Sequence, residues 1–223
     1  MLTTAGLVAA PAHAATLIYS QSFEVANGAI DTTTIGGYVY SANGVPGNGI
    51  NNTPSGGINY GSVTFNGSSG LQSNGSAWGF QTAPDGAQTA FIQSNGGPGG
   101  SISIALPSLV AGQQYSISFA LAKRPGYDLN PLTVSIGGLS TTYTTPTEAW
   151  KSYSFNFTSD GTATPLVFQA ASTQPTDTSV GLDNIAVSAV PEPATWAMLL
   201  LGFGMIGFAM RKRSNVRTTV SYA

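Results

Sequence analysis

Apolar and polar side chains alternate with a period of two through much of this chain. Tyr115, Ile117, Phe119 and Leu121 alternate with Ser116, Ser118 and Ala120, and Ile102, Ile104 and Leu106 with Ser101, Ser103 and Ala105. The same beat recurs at Leu132, Val134 and Ile136 and at Tyr153, Phe155 and Phe157. Successive side chains of a strand point to opposite faces, so these runs read as half-buried antiparallel strands. Turn chemistry separates them, at 107–112, Pro125-Gly126, Gly137-Gly138, Asp160-Gly161 and 175–178. No segment before Ala194 carries a helical pattern with one polar face.

Many short strands with Gly-rich corners predict an all-β fold, a two-sheet antiparallel jelly-roll sandwich in which the first and last strands pair mid-sheet. Leu17–Glu24 and Val180–Val187 are the expected pair. The stretch 28–75, rich in Gly, Asn, Ser and Thr, is too long for a plain connection; short strands are expected at Tyr38–Tyr40 and Ser62–Phe65, with loops on one rim. Leu182 is even while Ile185 and Val187 are odd, so the last strand should carry a bulge near Asp183-Asn184.

The two ends break this pattern. Leu2–Ala10 is apolar, Pro11 stops it, and Ala12-His13-Ala14 supplies the small residues a signal peptidase accepts, so 1–14 reads as a signal peptide. It lacks a basic start, and the true start is expected upstream of Met1. Ala194–Met210 is seventeen residues without a charge. As a helix it measures about 25 Å, and a single C-terminal transmembrane helix is the expectation. Arg211, Lys212 and Arg213 follow and would place the tail 214–223 in the cytoplasm.

Charge narrows the partners. Between Ala15 and Ala189, Lys123, Arg124 and Lys151 face eight acidic residues. That balance excludes nucleic acid, whose phosphates need clustered Lys and Arg. There is no cysteine, and the single histidine lies in the expected leader. Common zinc sites, a Ser-His-Asp triad and a Cys nucleophile are therefore excluded from the mature chain.

The segment 190–213, with Pro191-Glu192-Pro193, the apolar run and the basic cluster, resembles the PEP-CTERM sorting signal. The resemblance implies a Gram-negative bacterium that makes exopolysaccharide, export, a transient hold at the inner membrane, and an exosortase that reads the Pro-Glu-Pro segment and cuts the anchor away. The mature protein would then stand on the cell surface or in the extracellular matrix. The tail 214–223 departs from the family, which usually stops soon after its basic residues.

The body, 15–189, resembles galactose-binding-like jelly rolls of the kind found in carbohydrate-binding modules. The resemblance is carried by Ser22-Phe23-Glu24, by 74–80 leading to Ala83-Pro84-Asp85-Gly86, by 122–127 and by Leu182-Asp183-Asn184-Ile185. It implies this fold and a tendency to bind sugars. Glu24 and Asp183 would meet where first and last strands pair, and with backbone carbonyls would hold a structural Ca2+. Set against this, two carboxylates there also suit loop-amide capping. Trp78, Phe80, Arg124 and Tyr127 are the candidates for polysaccharide contact, since pyranose rings stack on aromatic faces and Arg forks onto hydroxyl pairs. A loop tryptophan is as readily the lid of a core. Trp150 is expected in the core, and Asp85 as a turn-former before Gly86. A non-enzymatic polysaccharide-binding surface protein is the leading expectation. A carbohydrate-active enzyme and a purely structural surface protein remain open, although the scattered carboxylates form no evident catalytic pair.

Overall fold

The computed structural model describes residues 15–24, 37–40, 61–97, 99–170, 176–191 and 193–212. Twelve strands precede one helix among these residues. They are β1 (Thr16–Gln21), β2 (Tyr38–Tyr40), β3 (Val63–Asn66), β4 (Ser69–Ser73), β5 (Gln88–Ser94), β6 (Ser101–Ile104), β7 (Gln114–Lys123), β8 (Leu132–Ile136), β9 (Leu139–Tyr143), β10 (Lys151–Thr158), β11 (Leu166–Ala170) and β12 (Thr178–Ala189), then α1 (Pro193–Lys212). The expected leader 1–14, Glu192, Arg213, the tail 214–223 and much of the stretch 28–75 lie outside the described residues.

The strands form two antiparallel sheets. One runs β10-β7-β12-β5-β4-β2, with β1 also on β12; the other runs β3-β6-β11-β8-β9. This is the predicted jelly-roll sandwich, and the expected closure is present: β1 lies antiparallel to the second half of β12, from Thr16 opposite Ala189 to Gln21 opposite Ile185. The first half of β12 pairs with β5 on that flank, Thr178 opposite Ser94 through Leu182 opposite Ala90, while β7 lines the other flank along the strand. The pairing slips between Asp183 and Ala186, and Asn184 adopts φ 49°. This is the bulge that the change of parity requires.

Alternation decides which side chains meet between the sheets. Ile117, Phe119 and Leu121 of β7, Val180, Leu182, Ile185 and Val187 of β12, and Leu71, Ala90 and Ile92 pack in one core with Val63, Phe65, Ile102, Ile104, Leu132, Val134, Ile136, Leu166 and Phe168 of the other sheet. A fully buried aromatic such as Phe168 stabilises such a core by roughly 3 to 5 kcal/mol relative to Ala. Tyr143 of β9 and Tyr153 of β10 close one side of the sandwich by ring contacts with Phe119 at 5.1 and 6.1 Å.

A second apolar cluster lies apart from this core. Trp78, Phe80, Phe91 and Ala122 pack together, with Tyr38, Tyr40 and Trp150 against them. Phe91 pairs with Gly181 and Gly70 across the sheet and shares their face, opposite to the core-facing Ala90 and Ile92. The β4–β5 loop therefore folds across the sheet. Glycine at the flanking positions makes this possible: a Cβ at Gly181 would stand 2.7 Å from Trp150 and 2.9 Å from Phe80, and one at Gly70 would collide with the Val39 carbonyl.

Helix α1 spans the expected apolar run, and its resolved apolar side chains from Leu199 to Met210 are exposed. The expectation of a transmembrane span is not met: among the described residues, no helix is long and apolar enough to cross a membrane. The uncharged run sits at the short end of the roughly 17 to 25 residues a span uses, and Gly202, Gly204 and Gly207 dilute its apolarity.

Candidate functional site

Hydrogen bonds seat the loop that carries Trp78. Gln72 Nε2 donates to Thr89 Oγ1 at 2.8 Å, Ser76 Oγ donates to Gln72 Oε1 at 2.6 Å, and the Trp78 amide donates to Ser76 Oγ at 3.3 Å. Farther along, Asn74 Oδ1 accepts the Ala83 amide at 2.8 Å, and Trp150 Nε1 donates to the Gln81 carbonyl at 3.2 Å. The loop is thereby tied to the sheet at several points, and Trp78 stacks on Phe91 with centroids 4.2 Å apart.

Beside Trp78 lies a cavity of about 120 Å3, lined by Tyr38, Tyr40, Ala77, Trp78, Gln93, Arg124 and Asp177. Arg124 enters from the end of β7, its backbone amide held by the Ser179 carbonyl at 3.2 Å. Its guanidinium is sandwiched between two rings, with Cζ 4.1 Å from the centroid of Trp78 and 3.7 Å from that of Tyr127. A polar chain crosses the cavity. Arg124 Nη1 donates to Asp177 Oδ2 at 3.0 Å, Gln93 Nε2 donates to Asp177 Oδ1 at 2.7 Å, and Tyr40 Oη donates to Gln93 Oε1 at 2.7 Å. Burial, reinforced by Tyr38 and the Asp177 carboxylate, pushes the Tyr40 phenol well above its ordinary value, so it stays a neutral donor.

Two of the lining residues each keep one buried donor, Trp78 Nε1 and Arg124 Nε, without a hydrogen-bond partner. A buried donor without an acceptor carries a desolvation cost of about 1 to 3 kcal/mol.

Three of the four sequence-predicted contact residues thus converge. Tyr127 is 38% exposed at the rim and Arg124 lines the cavity, while Trp78, 4% exposed, forms a wall. Phe80 does not join them: it is 7% exposed and stacks on Trp150 at 6.1 Å. Tyr38, Tyr40, Gln93 and Asp177 belong to the site and were not singled out from the sequence. Asp177 and Gln93 are 84 residues apart, so no local motif joins them.

The second expected constellation sits where β1 and β12 pass each other. Glu24 Oε1 accepts the amides of Ala87 and Gln88 at 2.8 and 2.7 Å, and a Cβ at Gly86 would collide with the Glu24 carboxyl. Asp183 is fully buried; its Oδ2 accepts the Asp85 amide at 3.3 Å and its Oδ1 has no partner. Burial pushes the Asp183 carboxyl up to about 7 against the pull of the Asn184 and Asp85 amides, and the charges of Asp85 and Glu24 add to the rise. Gln88 Oε1 is a further buried oxygen without a donor.

Unpaired buried oxygens beside two carboxylates suit a hard cation that accepts carboxylate and amide oxygens, such as Ca2+. Glu24 and Asp183 would hold it, with neighbouring backbone oxygens. Among the described residues no group of three or more His, Cys, Asp or Glu side chains is placed to ligate one metal, so part of the shell would come from amide or backbone oxygens. Glu24 also caps loop amides, as the competing expectation had it.

Residues 189–214 match the PEP-CTERM protein-sorting motif, which marks an exported protein with a membrane-anchoring C-terminal signal. No curated protein matches the chain. Among solved structures the chain is similar to the CBM22-1 xylan-binding domain from Paenibacillus barcinonensis Xyn10C, at 13% identity and a TM-score of 0.47 over 82% of this chain and 99% of that one. It is also similar to the C-terminal family 22 carbohydrate-binding module of Clostridium thermocellum Xyn10B, at 17% identity and a TM-score of 0.41 over 60% of this chain and 91% of that one.

Proposed function

We propose that this protein is exported by a Gram-negative bacterium, released from its C-terminal anchor by an exosortase, and binds polysaccharide outside the cell through the cavity beside Trp78. The observation that carries the binding reading is the cavity itself, in which the rings of Tyr38, Tyr40 and Trp78 stand beside the polar side chains of Gln93, Arg124 and Asp177. Sugar hydroxyls and ring oxygens supply acceptors, and their C–H faces pack on rings such as Tyr127. At about 30 Å3 per water, the cavity holds roughly four waters, so a ring edge or chain end enters while the polymer lies along the rim.

Binding without catalysis fits the donor set. Glycoside hydrolysis uses two carboxyls flanking the scissile bond. The cavity is lined by one carboxylate, Asp177, which is already tied to Arg124 and Gln93.

At the C-terminus, exosortase reads Pro191-Glu192-Pro193 within the sorting motif, which anchors the chain until cleavage. Affinity electrophoresis of the exported protein through gels containing neutral and acidic polysaccharides tests the binding reading. Retardation by at least one polymer, weakened by Tyr127→Ala and Arg124→Lys, is expected. Retardation unchanged in both variants removes the cavity as the site, and release of reducing sugar overturns the non-catalytic reading.

A further inference from the structure

The five-stranded sheet carries no charged residue. Its strands read VTFN, SISI, LVFQA, LTVSI and LSTTY. On its solvent face the register aligns two rows, Thr64-Ser103-Val167-Ser135-Ser140 and Asn66-Ser101-Gln169-Thr133-Thr142. These rows end at β9, which among the described residues is an edge strand, with Leu139, Ser140, Thr141 and Thr142 exposed. Folded proteins protect long exposed edges with charge, proline, bulges or brevity. β2 has three residues and β10 begins with Lys151, whereas β9 shows neither charge nor proline and pairs with β8 without a slip.

We infer that β9 is the pairing edge for a second copy of this chain, the two β9 strands lying antiparallel about a two-fold axis at Thr141. The hairpin fixes this register. Gly137 and Gly138 have φ 52° and 80°, the two-residue turn with positive φ at both positions, so the closing pair Ile136–Leu139 exchanges hydrogen bonds and every second pair after it does likewise. Val134–Thr141 is such a pair. Ser140 and Thr142 therefore aim both backbone groups away from β8, at the open edge. An antiparallel twin centred on Thr141 sets Ser140 opposite its partner's Thr142, and the reverse, satisfying all four outward groups on each strand. The edge is thus complementary to itself, and an uncharged sheet brings no like charges together across the axis. An isologous contact of this kind closes at two copies.

Because the chain has no cysteine, one introduced thiol reports the contact. Thr141 and its twin would form a non-hydrogen-bonded pair with Cα atoms about 4.5 Å apart, within the roughly 4.4 to 6.8 Å that a disulfide spans. Mild oxidation of full-length Thr141→Cys in nonionic detergent should give a covalent dimer, while Ser154→Cys, exposed on β10, should not. Sedimentation of the unmodified chain should show a dimer. Ser140→Pro, which removes only an outward amide, should weaken it at least tenfold with an unchanged melting temperature. A chain that stays monomeric, equal crosslinking in both thiol variants, or open-ended oligomers, as β9-to-β3 pairing would produce, overturns the inference. None of these readouts depends on glycan binding at the Trp78 cavity.

Discussion

Arg124 lies 4.1 Å from the centroid of Trp78 while its Nη1 donates to Asp177 at 3.0 Å, so one guanidinium joins the second apolar cluster to the polar chain of the cavity. Its side chain is only 12% exposed. Removing one member of a buried pair strands the other, at roughly 3 to 5 kcal/mol for full burial, and this pair is partly wet. Arg124→Ala should therefore lower stability by about 2 to 3 kcal/mol in urea unfolding. Arg124→Lys should recover part of that loss, since a point charge cannot both stack between rings and fork onto the carboxylate. A full recovery in Arg124→Lys would discount the stack.

Gly181→Ala should destabilise by about 1 to 3 kcal/mol, because its methyl would stand 2.7 Å from Trp150 and 2.9 Å from Phe80. Near-ultraviolet circular dichroism should change with it as Trp150 and Phe80 repack. A neutral result would mean that the β4–β5 loop does not lie on the sheet in solution.

Asp183 gives the fold a pH dependence opposite to that of an ordinary ion-paired carboxylate. Burial lifts its folded pKa to about 7, above the ordinary carboxyl value of 3.8. Between these values the folded state holds a proton that the unfolded chain has released, so stability is greatest at low pH and falls as pH rises through about 7. With cations chelated, the melting temperature should be higher at pH 5 than at pH 8. Asp183→Asn should flatten this profile. No difference between the two pH values in the unmodified chain would refute it.

Calcium should act in the opposite sense, because a bound cation favours the ionised carboxylate. At pH 8, adding Ca2+ to the chelated protein should raise the melting temperature, and Glu24→Gln or Asp183→Asn should abolish most of that rise. A melting temperature indifferent to Ca2+ would leave Glu24 as a loop cap alone.

Processing by an exosortase predicts a mature C-terminus at or near Pro191–Pro193, readable by mass spectrometry of the surface protein. An extracellular form ending at Ala223 would defeat it.

Several strands that bury one face announced themselves, whereas β4, β5, β9 and β11 were not singled out. β7 and β8 alternate because every second side chain meets the opposite sheet. β9, LSTTY, shows no such beat because it lies at an edge with four of its five residues exposed. β4, SGLQS, is buried on both faces, and its glycine is required by the rings and the neighbouring strand packed against it. The same contrast holds for the sites. Glu24 and Asp183 could be paired from sequence because jelly-roll closure sets first and last strands side by side. Tyr40 and Gln93 could not, since 53 residues separate them and a loop folded across a sheet leaves no periodic trace.

The course of β12 makes closure of the larger sheet depend on the last stretch of the domain. It is flanked by β7 along one side and by β5 and then β1 along the other, and it ends at Ala189, where the sorting motif begins. Until that strand arrives, β1 has no mate and the larger sheet is split in two. A chain threaded outward from its N-terminus would reach the far side without a finished sandwich, and the sheet would close only once the residues just before the sorting motif had followed. Maturation of the domain and presentation of its cleavage signal become successive moments of one passage.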